Sequence, residues 1–233
     1  MRSVILLFTI AAIPGFGAPI PGFYVTGVDA SGNALIPANS GQTQPDGHYA
    51  LTGPIAGLFP ETYRHTAYVS ETTTGEARWI GPFTSLGGRS QDAGFFSYTL
   101  NLDLTGFDPS TASITGKWAV DNCAAIFLNG IATANTINGG VVSGTCDDEA
   151  STNYNTLHDF SINSGFQSGL NALEFRVYNV NGPTGLVVTG TSDARAPHPP
   201  VGDVPEPGSA ALLALGLAAS YGLRKTVGKG RRV

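Results

Sequence analysis

Polar and hydrophobic positions alternate most cleanly around residues 97–104, where Tyr98, Leu100, Leu102 and Leu104 are interleaved with Ser97, Thr99, Asn101 and Asp103. A period of two sends successive side chains to opposite faces of an extended chain, so this run predicts a strand with one face in a core and the other in water. Further runs rich in apolar, β-branched and aromatic residues predict strands at 23–28, 63–69, 78–83, 112–120, 124–128, 158–162, 172–180 and 186–191. Between them lie Asn129-Gly130, Asn138-Gly139-Gly140 and Asn181-Gly182-Pro183, whose Asn and Gly supply the positive φ of tight turns. No long apolar run between residues 18 and 192 keeps a 3.6-residue period, and no internal repeat is present. The expectation is an all-β chain whose many short strands bury their inward faces between two packed antiparallel sheets, a β-sandwich. Residues 30–60, rich in Gly, Pro and Asn, are expected to be loops covering one end of it.

Both ends of the chain depart from this pattern. Met1-Arg2, an apolar run over 4–13 and Gly15-Phe16-Gly17 follow the charged, apolar, small-x-small order of a signal peptide, residues 1–17. After the domain at 18–192, a Pro-rich linker at 193–207 leads into an uncharged run at 208–223 and then a basic tail at 224–233. As a helix that run rises roughly 24 Å, short of a hydrocarbon core about 30 Å thick. Its Ala and Gly content makes it weakly apolar, which suits a transient anchor in the inner membrane better than a permanent one. The basic tail stays cytoplasmic by the positive-inside rule, leaving everything before Pro205 outside that membrane.

Charge narrows the choice of partners. The whole chain has 12 Lys and Arg against 17 Asp and Glu. Setting the targeting segments aside leaves six cations against all 17 acids, a net charge near −11. Nucleic acid is excluded as a partner, because it calls for a basic footprint.

Two sets of residues resemble known families. Val204-Pro205-Glu206-Pro207, the hydrophobic run and the basic end that begins with Arg224 and Lys225 resemble the C-terminal sorting signal of the PEP-CTERM exported proteins of Gram-negative bacteria. The resemblance implies recognition by an exosortase-type membrane protease and delivery to the cell envelope, surface or extracellular matrix. Within the domain, Phe107 to Asn122, Ile126-Phe127-Leu128-Asn129-Gly130, Phe166-x-x-Gly169-x-Asn171-x-Leu173-x-Phe175-x-Val177 and Pro183-x-Gly185-Leu186 resemble the second half of galactose-binding-like jelly rolls, over residues 79–191. That resemblance implies a jelly-roll sandwich, of a kind found in carbohydrate-binding modules and discoidin-like domains, with a polysaccharide or matrix glycan as partner.

On such folds binding falls in the end loops or on a sheet face. Trp79 and Tyr178 are therefore candidates to stack on sugar rings, and Arg176, Asp121 and Asn122 to hydrogen-bond hydroxyls. Each also has a structural reading: core packing for Trp79, a solvated strand face for Arg176, and an Asx turn for Asp121-Asn122. Cys123 and Cys146 meet an oxidising compartment after export and are expected to pair, closing a loop over 124–145, with two free buried thiols as the alternative. Asp147-Asp148-Glu149 is either a solvated turn or a set of oxygens for Ca²⁺; no other cofactor is expected. The chain has no GxSxG, HExxH or phosphate-binding glycine loop, and its four histidines are isolated in sequence, so the expectation is a non-catalytic protein. The alternatives are a secreted hydrolase with a glycosidase-like carboxylate pair and a purely structural surface protein.

Overall fold

Alternation along residues 97–104 becomes strand β4, Gly94–Asp103, in which Phe96, Tyr98, Leu100 and Leu102 are buried while their neighbours are partly or fully exposed. The other strands are β1 (Ala50–Thr52), β2 (Leu58–Thr62), β3 (Ile80–Thr84), β5 (Asp108–Asp121), β6 (Cys123–Leu128), β7 (Ile131–Ile137), β8 (His158–Ile162), β9 (Leu170–Asn179) and β10 (Gly185–Arg195); a one-turn helix α1 spans Glu71–Thr74. This computed structural model describes residues 17–36, 42–85, 89–90, 92–138, 146 and 153–197. The expected signal peptide up to residue 16, the Asp147-Asp148-Glu149 cluster, the Val204 to Pro207 motif, the hydrophobic run and the basic end with Arg224 and Lys225 lie outside the described residues. Among the described residues no helix is long and apolar enough to cross a membrane.

The strands form two five-stranded sheets, one ordered β1-β4-β9-β6-β7 and the other β2-β3-β10-β5-β8, with antiparallel pairing throughout. The core between them takes Tyr98, Leu100, Phe175 and Ile126 from the first sheet and Trp118, Ile114, Phe160 and Val188 from the second. Trp118 and Phe175 meet across the sandwich with ring centroids 5.9 Å apart, and Phe160 meets Phe175 edge-on at 6.0 Å. Such edge and tilted contacts favour the rings' quadrupoles and add to the burial of a large apolar area. Gly116 opposes Gly190 across β5 and β10, where a Cβ on Gly116 would collide with the Thr189 carbonyl and lie 2.8 Å from the Phe160 ring. Glycine at this pair therefore lets the strands pass and the Phe160 ring approach the backbone.

Several expectations need correcting. Residues 23–28 and 63–69 are not strands, although rich in aromatic and β-branched residues. In the first, Gly27 has φ +68, and Thr26 meets β10 with one side-chain and one backbone bond: Val188 N–H donates to Thr26 Oγ1 and Thr26 N–H to Val188 O. In the second, a turn at 66–67 folds Tyr68 and Val69 back over the outer side of the second sheet. There Tyr63, Tyr68, Ala77, Trp79, Ala119 and Val187 make a second buried cluster, so the apolar residues of these runs serve tertiary packing. Within 30–60, β1 and most of β2 form where loops were expected, and β7 is a further strand absent from the sequence reading. β10 also runs to Arg195, three residues past the expected end of the domain at 192.

Candidate functional site

β9 crosses the middle of the first sheet with Leu173, Phe175 and Val177 turned into the core, which leaves Glu174, Arg176 and Tyr178 on the outer face. Register builds rows across that face. Tyr178 sits between Phe95 of β4 and Cys123 of β6, Arg176 between Ser97 and Ala125, and Glu174 between Thr99 and Phe127. The Phe95 and Tyr178 rings lie 4.9 Å apart, tilted by 57°, and Phe95 is 40% exposed.

Below this aromatic pair the charges are neutralised in place. Arg176 donates through Nε and Nη2 to the two oxygens of Glu174 at 2.7 and 3.1 Å, and Ser97 Oγ donates to Glu174 Oε1 at 2.6 Å. The guanidinium carbon also lies 4.0 Å from the centroid of the Phe127 ring, so one flat side rests on an aromatic face while its fork is taken by Glu174. The result is an apolar ring surface beside fixed polar groups, the combination that recognises a ligand with C–H faces and hydroxyls.

Asp121 and Asn122 turn the chain from one sheet to the other. Asp121 ends β5 and Cys123 begins β6, so Asn122 alone makes the crossing. Its N–H donates to Tyr178 O, its Oδ1 accepts from Val180 N–H at 3.0 Å, and its carbonyl accepts from Asn153 Nδ2 at 2.8 Å. Asp121 Oδ2 accepts from the Tyr68 hydroxyl at 2.9 Å, and its carbonyl accepts from Thr184 Oγ1. Both residues are 7% exposed. The corner is thus a set of long-range internal bonds in place of the expected Asx turn, and its polar groups are committed to the fold.

Trp79 is likewise withdrawn from solvent. It is fully buried on the opposite side of the sandwich, 4.2 Å from the Tyr68 ring, and its indole N–H donates to Val69 O at 3.1 Å. A ring with no exposed face cannot stack on a sugar, which corrects that expectation. Burial, and then the nearby Asp121 carboxylate, push the Tyr68 hydroxyl far above its ordinary pKa, so it stays a neutral donor. Arg89 lies over the outer side of Tyr63, 3.9 Å from its centroid.

The structure therefore brings Arg176 and Tyr178 onto one exposed face and sends Trp79, Asp121 and Asn122 elsewhere. Sequence reasoning missed Phe95, Phe127 and Ser97. Phe95 carried a signal, because it falls out of phase with the buried Phe96 next to it. Cys123 and Cys146 form a disulfide with Cα atoms 6.0 Å apart, which ties residue 146 to the row that holds Tyr178. Among the described residues no three His, Cys, Asp or Glu side chains converge as a metal site.

A cleft of about 320 Å³ opens elsewhere, where the free edges of β7 and β8 diverge; it is lined by Leu128, residues 131–135 and residues 161–165, with no Asp, Glu or His. A paired-carboxylate glycosidase needs two carboxyl groups facing across such a space, roughly 5–9.5 Å apart.

Among solved structures, the chain is similar to a CBM35 from Paenibacillus barcinonensis, with TM-score 0.28 and 14% identity, covering 60% of this chain and 98% of that one. It is also similar to a family 35 carbohydrate binding module from an environmental isolate, with TM-score 0.31 and 11% identity, covering 68% and 99%. A curated relative, the exo-beta-D-glucosaminidase of Amycolatopsis orientalis, is 25% identical over 181 residues, or 76% of this chain. The chain spans 15% of that enzyme's length. Residues 203–225 match the PEP-CTERM protein-sorting motif, so this is a chain with a PEP-CTERM address, marked for export to the cell envelope or surface.

Proposed function

We propose that the protein is a non-catalytic glycan binder of the cell surface or extracellular matrix, and that its sandwich holds a polysaccharide against the outer face of the first sheet. The observation that carries this reading is the Phe95 and Tyr178 pair, an exposed tilted aromatic platform beside the Arg176–Glu174–Ser97 bonds. The glucosaminidase similarity supports the same reading, since a segment related to a small part of a sugar-processing enzyme suits an accessory role. In a Gram-negative cell, the hydrophobic run at 208–223 anchors the chain transiently in the inner membrane while an exosortase-type protease processes the motif, and the Pro-rich segment holds the domain away from the bilayer. Asp147, Asp148 and Glu149, which follow Cys146 in sequence, offer oxygens to Ca²⁺.

The test is an array of neutral and acidic polysaccharides probed with the full chain, in a detergent without a sugar headgroup, with and without Ca²⁺. Saturable binding with no release of reducing ends supports the proposal. Release of reducing ends identifies a hydrolase instead, and a folded protein that binds nothing on the array moves the reading to a purely structural surface protein.

A further inference from the structure

We infer that the cleft between β7 and β8 is a second ligand site, shaped for an uncharged saccharide unit. The choice of ligand class rests on the glycan-binding reading above, whereas the site itself stands on its own geometry.

The cleft exists because the sandwich is not closed along this side. β7 is the last strand of one sheet and β8 of the other, so their outer edges face each other with no strand between them. Open seams of this kind tend to collapse or recruit another strand. Here the seam is held at two places by asparagine side chains. Asn135 of β7 acts as a substitute for a paired strand: its Nδ2 donates to Ser161 O at 2.9 Å, and its Oδ1 accepts from Ser161 N–H at 3.0 Å. At the other end Asn129, in the turn before β7, donates through Nδ2 to Gly165 O at 3.2 Å, and its Oδ1 accepts from Ala172 N–H at 3.0 Å. Both walls are therefore fixed before any ligand arrives, which lowers the ordering cost of binding.

The lining then selects the ligand. Ile131, 74% exposed, supplies the apolar surface at the entrance, while Leu128 and Ile162, each 3% exposed, close the floor and show a ligand only a small area. Ser161, Asn163 and Ser164 add hydroxyl and amide groups, while the Thr133 hydroxyl and the Asn135 amide are engaged in internal bonds to Ile126 O and Ser161. Not one of the lining residues is charged, although the chain left after the targeting segments has a net charge near −11. Apolar surface ringed by neutral hydroxyls and amides matches a pyranose, with its C–H faces and peripheral hydroxyls. A charged sugar would find no counter-ion there and would lose hydration without compensation. A peptide strand is disfavoured for a separate reason: the outward N–H and C=O of Ser161, which an added strand would need, are already taken by Asn135. At about 320 Å³ the cleft lies near the lower end of small-molecule sites, which run from ~300 to 1,000 Å³, so it accommodates the end or a short segment of a chain.

The experiment is amide chemical-shift mapping on the isotopically labelled full chain in the same detergent, titrated with cellotetraose, laminaritetraose and, as the charged control, trigalacturonate. The expected result is saturable shifts at 131–135 and 161–165 with a neutral tetrasaccharide and not with trigalacturonate. Ala134→Trp, on an exposed lining position that leaves both asparagines in place, should weaken that response at least tenfold; Ile131→Ser, a milder change, should weaken it about threefold with the melting temperature unchanged. Shifts confined to Phe95, Ser97 and residues 174–178 would overturn the cleft site while leaving the proposed function standing. Equal response to trigalacturonate at the cleft would overturn the neutral-ligand assignment, and no shift anywhere with any of the three sugars would overturn both readings.

Discussion

Replacing Asn135 by Ala removes its two bonds to Ser161 across the seam and a local bond from Nδ2 to Thr133 Oγ1 at 3.1 Å, from a side chain that is only partly buried. A neutral hydrogen bond contributes about 1 kcal/mol net, and less where water can replace it, so the pair is worth about 1–2 kcal/mol. For a domain of this size each kcal/mol shifts the melting temperature by roughly 2–4 °C, which predicts a fall of about 2–8 °C. Asn135→Asp separates the two bonds. The carboxylate keeps an acceptor for Ser161 N–H but presents an anion to Ser161 O, so it should cost at least as much as Ala, and more at pH 7 than at pH 3. The assay is calorimetric melting of the three proteins at both pH values, with amide exchange at Ser161 as the local readout. A melting point within 1 °C of wild type for both variants, with Ser161 still protected, would show that the seam is held by something else.

Other expectations follow from the same structure. The Cys123–Cys146 bridge spans 23 residues, a loop whose closure contributes about 3 kcal/mol in the chain-entropy account, so Cys146→Ala should lower melting by about 6–12 °C and make it indifferent to reductant. Tyr68→Phe should cost about 1.5–3 kcal/mol in urea unfolding, because it removes a buried donor to the Asp121 carboxylate. Asp46 is 2% exposed and accepts from Gly27 and His48 N–H groups; burial raises its pKa above 3.8 despite those bonds. A raised folded-state pKa means a contribution fully present below pH 3.8 and lost as pH climbs through the higher value, so the stability advantage of wild type over Asp46→Asn should shrink with rising pH. An advantage that grows instead would contradict that sign.

How far the sequence could be read depended on what each strand faces. β4 and β9 are half-buried, and the period of two in Tyr98, Leu100, Leu102 and in Leu173, Phe175, Val177 named their inward faces directly. β6 is buried at all six positions, because Arg176 and its neighbours cover the outer side of Ala125 and Phe127, so the run shows apolar length without alternation. β7 was illegible: Ile131-Ala132-Thr133-Ala134-Asn135 is an exposed edge held by its own side chains, and nothing in its local pattern marks it. The site was half legible for the same reason. Arg176 and Tyr178 could be placed on a strand face, but Phe95, the partner of Tyr178, and Phe127, the partner of Arg176, lie 83 and 49 residues away in sequence, which local periodicity does not encode. Trp79, Asp121 and Asn122 looked like binding residues because their types are; tertiary contacts with Tyr68, Val180 and Asn153 commit them to the fold.

The central claim is that the Phe95 and Tyr178 face binds glycan. Its most direct measurement is calorimetric titration of the wild-type full chain and of the Phe95→Ala, Tyr178→Ala double variant with the neutral polysaccharide that gives the strongest array signal. Loss of two aromatic anchors at a contact centre should remove about 2 kcal/mol or more, a drop of about 30-fold in affinity, with the disulfide intact and the fold unchanged. Equal affinity in the two proteins would contradict the account.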